Sequence, residues 1–344
     1  MAKLTFVGGI HPYDGKDLSK DKPIQDILPK GELVYPLSQH IGAPAKAIVE
    51  KGERVLAGQK IAESGGFVSA PVYASVSGTV KAIEPRRVVT GDLIMSIVVE
   101  NDEMYEDVGF YPSAPLEKLS REEIIDIIRE AGIVGMGGAG FPTHVKLSPR
   151  DPQKIEYVIA NCAECEPYLP SDYRRMLEEP EKLIGGLKII LKLFDNAQGI
   201  LAVEDNKPDC ISLLRQLTKD EPGISVKALK TKYPQGGERQ LIYATTGRKI
   251  NSTMLPADVG CVVNNVDTVV AVYRAVMEGK PLMERIVTVT GDAVAAPQNF
   301  RVRIGTSYSE LLEAAGGLRG TPEKIICGGP MMGFFFFFFY LATT

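Results

Sequence analysis

The sequence lacks an excess of basic residues: 39 lysines and arginines stand against 43 aspartates and glutamates, a formal net charge of −4. Nucleic-acid-binding proteins normally carry a basic excess, so we expect no nucleic acid as a partner. The chain also lacks the apolar run of about 18 to 20 residues that crosses a bilayer. Its first residues show no basic segment followed by an apolar one, so no signal peptide is expected. These absences predict a cytoplasmic protein with no direct membrane insertion.

Cysteine is scarce, with 5 in 344 residues. An odd number in a long chain fits a reducing compartment better than a disulfide framework. Two of the five form the pair Cys162-x-x-Cys165. A lone pair of this kind supplies only half of a zinc or iron–sulfur site. A metal or redox role is therefore the weaker interpretation, and no metal site is predicted in this chain.

The first third of the chain reads as short strands broken by glycine and proline, which predicts a small β-sandwich or barrel. Its segments Lys51–Gln59 and Ala70–Val80 resemble the two halves of a biotinyl/lipoyl-type barrel-sandwich hybrid. A carrier domain of that type needs a lysine at the hairpin tip between the halves. The tip here, Glu63–Ser69, has none, so we expect a structural module over residues 1–112.

The next segment, residues 113–281, is predicted to be an α/β domain. Ser120 followed by Glu123 is a capping box before an apolar helical stripe. Downstream, apolar β-rich runs alternate with helical patterns, which is typical of a mainly parallel sheet. The predicted strands are 155–160, 199–204 and 225–230, and the predicted helices are 181–193 and 209–217.

The end of the chain changes character twice. Residues 282–333 resemble the SLBB module, a small β-grasp unit. Residues 334–344 begin with six consecutive phenylalanines, a run with strong β propensity and no charge to prevent aggregation. We interpret 334–344 as an anomalous tail and leave it out of the fold prediction.

The most informative motif is the glycine loop Val134–Lys146, which has four glycines within six residues. Glycine lets a backbone approach a ligand closely, and a run of inward N–H groups binds phosphate. A lysine six residues past the last glycine adds a full positive charge. The loop follows a helix, whereas a Rossmann fingerprint or P-loop follows a strand and opens a helix. An elaborate turn is the alternative interpretation.

Three later motifs carry polar side chains suited to a cofactor. Asn161–Tyr168 follows a predicted strand, at the kind of sheet edge where α/β proteins bind ligands. Tyr233–Arg239 contains a Gly-Gly turn with one acid, Glu238. The alternative interpretation is that Glu238 and Arg239 form a solvated ion pair. Asn264 and Asn265 stand between β-branched runs. Taken alone, the asparagine pair is better explained as a turn.

Together the four motifs resemble the flavin and NADH site of the NADH-oxidising subunit of respiratory complex I, whose loop reads G-R-G-G-A-G-F-P-T-G-L-K. They are still more similar to the RnfC family of the Rnf electron-transport complex. Further hallmarks of that family are Gly8–Pro12, Asp21–Ile24 and Cys327–Gly333. The resemblance covers residues 1 to about 333. It implies a mixed α/β protein with an N-terminal barrel-sandwich hybrid, a central FMN/NADH-binding domain of the complex I flavoprotein type and a C-terminal SLBB module.

The resemblance also implies roles for individual residues. Binding positions are implied for a flavin and a dinucleotide, and no catalytic acid or base is implied. The FMN phosphate and ribityl chain would lie against Gly135, Gly137, Gly138, Gly140 and Lys146, and the flavin also against Asn161, Glu164, Asn264 and Asn265. NADH would meet Phe141 at its adenine, Glu166 near its nicotinamide and Glu238 at its ribose, beside Tyr233, Gly236 and Gly237.

Two residues depart from the complex I pattern: Met136 replaces an arginine beside the phosphate, and Ala163 replaces an aspartate at the flavin. Both changes remove polar contacts, so a lower FMN affinity is expected. Proteins of the RnfC family also normally continue into a segment that holds two [4Fe–4S] clusters through C-x₂-C-x₂-C-x₃-C-P runs. No such run exists here, so the sequence is expected to be truncated before its cluster domain.

The function implied is that of an FMN- and NAD(H)-binding subunit of a membrane-bound, ion-pumping ferredoxin:NAD oxidoreductase complex. Its expected partners are the other subunits, NADH, and ferredoxin or a neighbouring cluster subunit, with the chain peripheral on the cytoplasmic face of the membrane. Two alternatives stay open. One is a flavin-free scaffold like the related subunit of the sodium-pumping quinone reductase, and the other is a cobalamin reductase.

Overall fold

The computed structural model describes residues 4–335 and 341–343. Its α-helices are α1 Arg121–Glu130, α2 Thr143–Lys146, α3 Ser171–Glu178, α4 Pro180–Leu191, α5 Pro208–Leu217, α6 Glu238–Thr246, α7 Val266–Glu278 and α8 Tyr308–Ala314. Its strands are β1 Ile24–Asp26, β2 Glu32–Pro36, β3 Lys46–Ala47, β4 Arg54–Val55, β5 Lys60–Glu63, β6 Val72–Tyr73, β7 Gly78–Arg87, β8 Leu93–Asn101, β9 Tyr157–Cys162, β10 Gln198–Glu204, β11 Ile224–Leu229, β12 Cys261–Asn265, β13 Glu284–Val289, β14 Gln298–Arg303, β15 Ile326–Cys327 and β16 Phe334–Phe335.

The N-terminal module is all β. Strands β2, β8, β7 and β4 form one antiparallel sheet, and β3, β5 and β6 form a second. Between them lies an apolar core that contains Leu33, Val55, Ile61 and Ile97. The predicted β-rich sandwich is therefore confirmed.

The central domain is built on a four-stranded parallel sheet in the order β11-β10-β9-β12. Helices α1, α4 and α7 contribute to a large buried cluster on one face, and α6 contributes to a smaller cluster on the other. After β9, the chain adds β10 and β11 on one side of β9, and it then adds β12 on the other side. The carboxyl ends of β9 and β12 therefore border the place where strand order reverses, which is where open α/β sheets bind ligands.

The predicted capping box of α1 is present. The Ser120 hydroxyl accepts a hydrogen bond from the Glu123 N–H, and the Glu123 side chain accepts one from the Ser120 N–H. Ile124 and Ile128 are buried while Ile127 is partly buried, as the helical stripe predicts. The prediction of a mainly parallel α/β domain is confirmed, although the sequence pattern did not predict α3, α6 or α7.

The C-terminal module combines β13 and β14 with α8 over a small core around Phe300. The N-terminal segment contributes its third strand, because β1 pairs in parallel with β14. The side chain of Asn299, which is buried, donates hydrogen bonds to the carbonyls of Ser19 and Lys22. Segment 4–26 thus contacts a module far away in sequence.

Part of the predicted anomalous tail packs on this module. Phe334–Phe335 pairs with β15, and the carbonyls of Leu341 and Thr343 accept hydrogen bonds from Tyr308 and Gly305. Residues 336–340 and 344 of that tail lie outside the described residues. The domain boundaries at 112, 281 and 333 stay predictions.

Candidate functional site

Three asparagines lie at the carboxyl ends of β9 and β12. Asn161 and Asn265 are register partners on the two strands, and Asn264 pairs with Ala160. The Asn265 carboxamide oxygen accepts the Asp267 N–H and so caps α7. Asn264 is buried, and its Nδ2 has no hydrogen-bond partner within the described part of the chain. A buried donor without an acceptor is costly, which makes Asn264 a candidate ligand group.

The glycine loop is closed at its base by a hydrogen bond of 2.9 Å from the Gly135 N–H to the Phe141 carbonyl. The Met136 N–H donates to the Thr268 hydroxyl at 3.0 Å. The next three N–H groups, of Gly137, Gly138 and Ala139, donate to no acceptor among residues 4–335 and 341–343. These three residues are exposed. The loop therefore presents a short run of free donors, the arrangement that binds an anion.

Gly137 is the loop position with least room beside the asparagines. A methyl group on its Cα would lie 2.7 Å from the Asn265 Cβ. Gly140 has φ of +63°, a left-handed backbone that favours glycine, and a methyl group on its Cα would lie 2.9 Å from the Gln39 carbonyl oxygen. The Gly140 carbonyl accepts the Ile41 N–H at 3.3 Å, so the barrel module braces the loop from outside.

Lys146 connects the glycine loop to two other motifs. Its Nζ donates to the Val263 carbonyl at 2.9 Å and lies 3.7 Å from the Glu238 carboxylate. An ammonium group has three donors, so at least one remains for a ligand. The lysine side chain is 31% exposed and therefore remains accessible.

The segment Asn161–Tyr168 reaches across to the Tyr233–Arg239 turn. The Asn161 Nδ2 donates to the Gly236 carbonyl at 2.8 Å, and the Gly236 N–H donates to the Cys165 sulfur at 3.3 Å. Tyr233 pairs with Ile10 of the N-terminal segment, and Gly237 and Glu238 begin α6. All four motifs are thus brought to one edge of the sheet.

The two acids of this segment have specific protein partners. Glu164 has a left-handed backbone with φ of +52°, and its Oε1 accepts the Asp172 N–H at 2.6 Å at the start of α3. Glu166 Oε1 accepts the Met331 N–H at 2.7 Å. Phe141 is partly buried. The carboxylates of Glu164 and Glu166 therefore hold neighbouring backbone in place.

Several charged groups around this edge are buried. Burial raises the pKa of Asp172 well above its usual range, and the nearby Glu164 and Asp267 carboxylates add to the effect. Burial also raises the pKa of Glu204 to about 7, although Lys207 at 3.6 Å opposes the change. Lys207 Nζ donates to the Ala163 carbonyl at 2.7 Å. Burial lowers the pKa of Lys16.

The pair Cys162 and Cys165 differ in environment. Cys162 is buried in the main core, and burial raises its pKa well above the ordinary thiol value. Burial also raises the pKa of Cys165, so both groups stay thiols near neutrality. Among the described residues, no group of three or more histidine, cysteine, aspartate and glutamate side chains could hold a metal ion.

Met136 does not extend the run of free donors. Its side chain packs against the main core and lines a cavity of about 170 Å³ together with Arg175 and Arg274. Its carbonyl accepts a hydrogen bond of 3.5 Å from Arg285. An arginine at this position would bring another cation close to two guanidinium groups.

Several residues at this edge were missed by sequence reasoning. Lys16 donates to the carbonyls of Glu166 and Leu169. Three further residues contact the predicted motifs through the hydrogen bonds described above: Asp172, Lys207 and Thr268. Single lysines, aspartates and threonines are common in any soluble chain. Their sequence positions give no signal, because the partner of Lys16 is 150 residues away.

The site has the donors that a flavin mononucleotide requires. Free N–H groups and the Lys146 ammonium suit a phosphate dianion. The unpartnered Asn264 amide suits the polar edge of a ring. The residues present therefore fit FMN.

Family models match the chain in three blocks. The RnfC barrel sandwich hybrid domain matches residues 4–104, the Nuo51 FMN-binding domain matches residues 128–274, and the SLBB domain matches residues 286–335. The predicted SLBB unit and the predicted complex I flavoprotein type of the central domain are thereby confirmed.

Relatives match over nearly the whole chain. The C subunit of the proton-translocating ferredoxin:NAD(+) oxidoreductase complex of Clostridium ljungdahlii is 46% identical over 332 residues, which is 96% of this chain and 72% of that relative. The C subunit of the Na(+)-translocating complex of Acetobacterium woodii is 44% identical over 330 residues, which is 96% of this chain and 74% of that relative.

Two crystal structures of NAD+-reducing [NiFe]-hydrogenase share the fold. The H2-reduced state has a TM-score of 0.51 at 23% identity over 62% of this chain and 43% of the hydrogenase chain. The air-oxidised state has a TM-score of 0.51 at 22% identity over 64% and 46%.

Fold and site together define a class: an FMN-binding domain of the Nuo51 type between a barrel-sandwich hybrid and an SLBB module. The chain belongs to the RnfC family, the C subunits of Rnf-type ferredoxin:NAD(+) oxidoreductase complexes. Within the described residues, no helix is both long and apolar enough to cross a bilayer.

Proposed function

We propose that this chain binds FMN at the carboxyl edge of its parallel sheet and passes electrons between NAD(H) and iron–sulfur clusters. The observation that carries the proposal is the run of free N–H groups from Gly137 to Ala139, in the same motif as Lys146, whose Nζ contacts the Val263 carbonyl of β12. A phosphate would accept hydrogen bonds from all of these donors together. A solvated turn or a purely structural loop does not require several free N–H groups in a row.

The FMN phosphate is assigned to Gly137, Gly138 and Lys146, with Gly135 and Gly140 shaping the loop. The Gly135 N–H is already bonded to Phe141, so this residue contributes close approach and no donor. Asn264 would give its unpartnered Nδ2 to the ring. The rest of the flavin site would be formed by Asn161, Asn265 and Glu164. Glu164 would act mainly by fixing the start of α3.

NAD(H) is assigned to the side of the site formed by Phe141, Glu166 and the Tyr233–Glu238 turn. An aromatic ring stacks on an adenine face, and a carboxylate accepts from ribose hydroxyls or from a carboxamide. Gly236 and Gly237 let the turn approach closely. The Glu238 side chain is 42% exposed and can reach a ligand in solvent.

When bound, FMN supplies the exchange between two-electron hydride transfer and single-electron transfer. The residues named here bind, orient and exclude water, and none has to act as a general acid or base. Asn264 would offer its unpartnered amide to the ring, while Asn161 and Asn265, which are bonded to Gly236 and Asp172, would keep the adjacent strand ends in place. The buried Lys207 keeps the Ala163 end of the acidic segment in place.

The relatives' names describe subunits of ion-translocating complexes, which supports a peripheral role on such a complex. We assign the chain to the cytoplasmic face, with NADH, other subunits, and ferredoxin or a neighbouring cluster subunit as partners. We propose two [4Fe–4S] clusters as the one-electron partners of the flavin; the five cysteines of this sequence form no C-x₂-C-x₂-C-x₃-C-P run that would hold them.

The test is an absorbance titration of the apoprotein with FMN, followed by anaerobic addition of NADH. Bound flavin that NADH bleaches supports the proposal. Lys146→Met should weaken FMN binding at least tenfold, because it removes the ammonium beside the loop. Lys154→Met, which changes a lysine with a side chain that is 73% exposed and paired with Asp151, should change the FMN affinity less than twofold. No bound flavin at tens of micromolar FMN would favour the scaffold alternative.

A further inference from the structure

The N-terminal segment lies against the acidic segment Asn161–Tyr168 of the central domain. The Tyr168 N–H donates to the Asp14 carbonyl at 2.6 Å, and the Tyr13 and Tyr168 rings meet edge to face. Gly15 has φ of +58°, and a methyl group there would lie 2.4 Å from the Tyr168 ring. This close packing places the next residue, Lys16, within hydrogen-bond distance of the segment.

Lys16 is a buried lysine whose ammonium group makes two hydrogen bonds to backbone carbonyls. Its Nζ donates to the Glu166 carbonyl at 2.9 Å and to the Leu169 carbonyl at 2.5 Å. It also lies 3.6 Å from the Glu164 carboxylate, and the side chains of Lys16 and Glu164 are only 8% and 5% exposed. With two donors on backbone carbonyls and a buried carboxylate as its ion-pair partner, Lys16 holds protein groups and is not placed to bind a ligand.

The acidic segment is anchored separately at its two ends. Residues 161–163 are held by the Asn161 contact with Gly236 and by the donation from Lys207 to Ala163. The end from Glu166 to Leu169 is held by Lys16 and by Asp14. The flavin-facing end and the nicotinamide-facing end thus depend on different lysines.

We propose that Lys16 is a positioning residue that fixes the Glu166–Leu169 backbone and thereby sets the affinity of the site for NAD(H). The ligand assignment rests on the proposed function. The contacts between Lys16 and the two carbonyls do not, and they can be tested in the apoprotein.

The experiment must separate positioning from simple charge neutralisation, because Lys16→Met alone leaves the Glu164 carboxylate buried without a cation. We therefore compare Glu164→Gln with the double variant Lys16→Met/Glu164→Gln. Glutamine keeps an oxygen for the start of α3 and removes the buried charge. Lys20→Met, which changes a lysine with a side chain that is 41% exposed and paired with Asp17, is the surface control.

Three quantities are measured: amide hydrogen exchange in the apoprotein, FMN affinity, and NAD⁺ affinity of the FMN-loaded protein by calorimetry. In the double variant the Tyr168 amide should exchange at least tenfold faster than in Glu164→Gln. Relative to Glu164→Gln, the double variant should have a dissociation constant for NAD⁺ that is at least tenfold higher, and one for FMN that is less than threefold higher. The control should match the wild type in all three.

Equal exchange rates and equal NAD⁺ affinities in Glu164→Gln and the double variant would overturn the inference, since Lys16 would then only neutralise Glu164. A wild-type protein that binds no FMN would instead overturn the proposed function. Hydrogen exchange in the apoprotein would still decide the role of Lys16 in that case.

Discussion

At the residue scale, Gly137 lies where the glycine loop touches the asparagine pair. The Asn265 side chain that it faces already caps α7 and donates to Asp172 at 2.7 Å. It therefore cannot rotate away without breaking one of these hydrogen bonds. The space at Gly137 is limited by Asn265, 128 positions later in the chain, and a glycine is needed there for that reason. The sequence pattern alone could not give this reason.

We expect Gly137→Ala to raise the dissociation constant for FMN at least tenfold, because the new methyl group would lie 2.7 Å from the Asn265 Cβ. Strain on the cap of α7 should also lower the free energy of unfolding by about 1 kcal/mol. Fluorescence quenching of FMN and urea denaturation measure the two effects. Gly223→Ala is the control, since a methyl group there meets nothing within 4 Å. Equal FMN affinities in the two variants would contradict the packing argument.

At the element scale, the end of β10 carries a buried carboxylate, Glu204, against Lys207. The folded protein retains the Glu204 proton up to about pH 7, whereas the unfolded chain loses it near 4.5. Between these pH values the folded state binds more protons, so the free energy of unfolding falls as the pH rises. The whole effect amounts to about 3 kcal/mol.

Glu204→Gln should remove this contribution. Between pH 4.5 and 7.5, the stability of the variant relative to the wild type should rise by up to about 3 kcal/mol. Urea denaturation at several pH values measures it. Glu313→Gln changes an exposed carboxylate and should show no such trend. A pH-independent difference for Glu204→Gln would mean that Glu204 is ionised throughout the range.

The elements were predictable from sequence where local signals are strong. The Ser120–Glu123 capping box and the alternation of apolar strands with helices gave α1 and the parallel sheet. The asparagine pair was harder, because alone it favoured a turn, while the structure places Asn264 in β12 and uses Asn265 as a helix cap. Lys16 could not be predicted, since its contacts depend on how the N-terminal segment crosses the finished domain.

At the scale of the whole molecule, an ion-pair network joins the central domain to the C-terminal module. The Glu179 carboxylate contacts Arg175, Arg274 and Arg301, and Arg301 also contacts Asp26 of β1. Glu179 is only 14% exposed. Burial lowers the pKa of Arg274 to about 10, which reflects the cost of keeping this cation away from water.

Glu179→Ala should therefore lower the free energy of unfolding by about 2 kcal/mol, because three largely buried arginines lose a shared carboxylate while each keeps another acidic partner, Asp267, Glu284 or Asp26. Faster hydrogen exchange in β13 and β14 should accompany the loss, because Arg301 lies on β14. Glu181→Ala, an exposed position on the same helix, should cost less than about 0.5 kcal/mol. Equal losses in the two variants would show that the network adds little.

The most direct test of the central claim compares the affinities of the apoprotein for FMN and for riboflavin, which lacks the phosphate. The free N–H groups of Gly137–Ala139 and the Lys146 ammonium should contribute about two charge-assisted hydrogen bonds. FMN should therefore bind roughly 100-fold more tightly than riboflavin, and inorganic phosphate should weaken only FMN binding. Equal affinities for the two flavins would contradict the assignment of the glycine loop as the phosphate site.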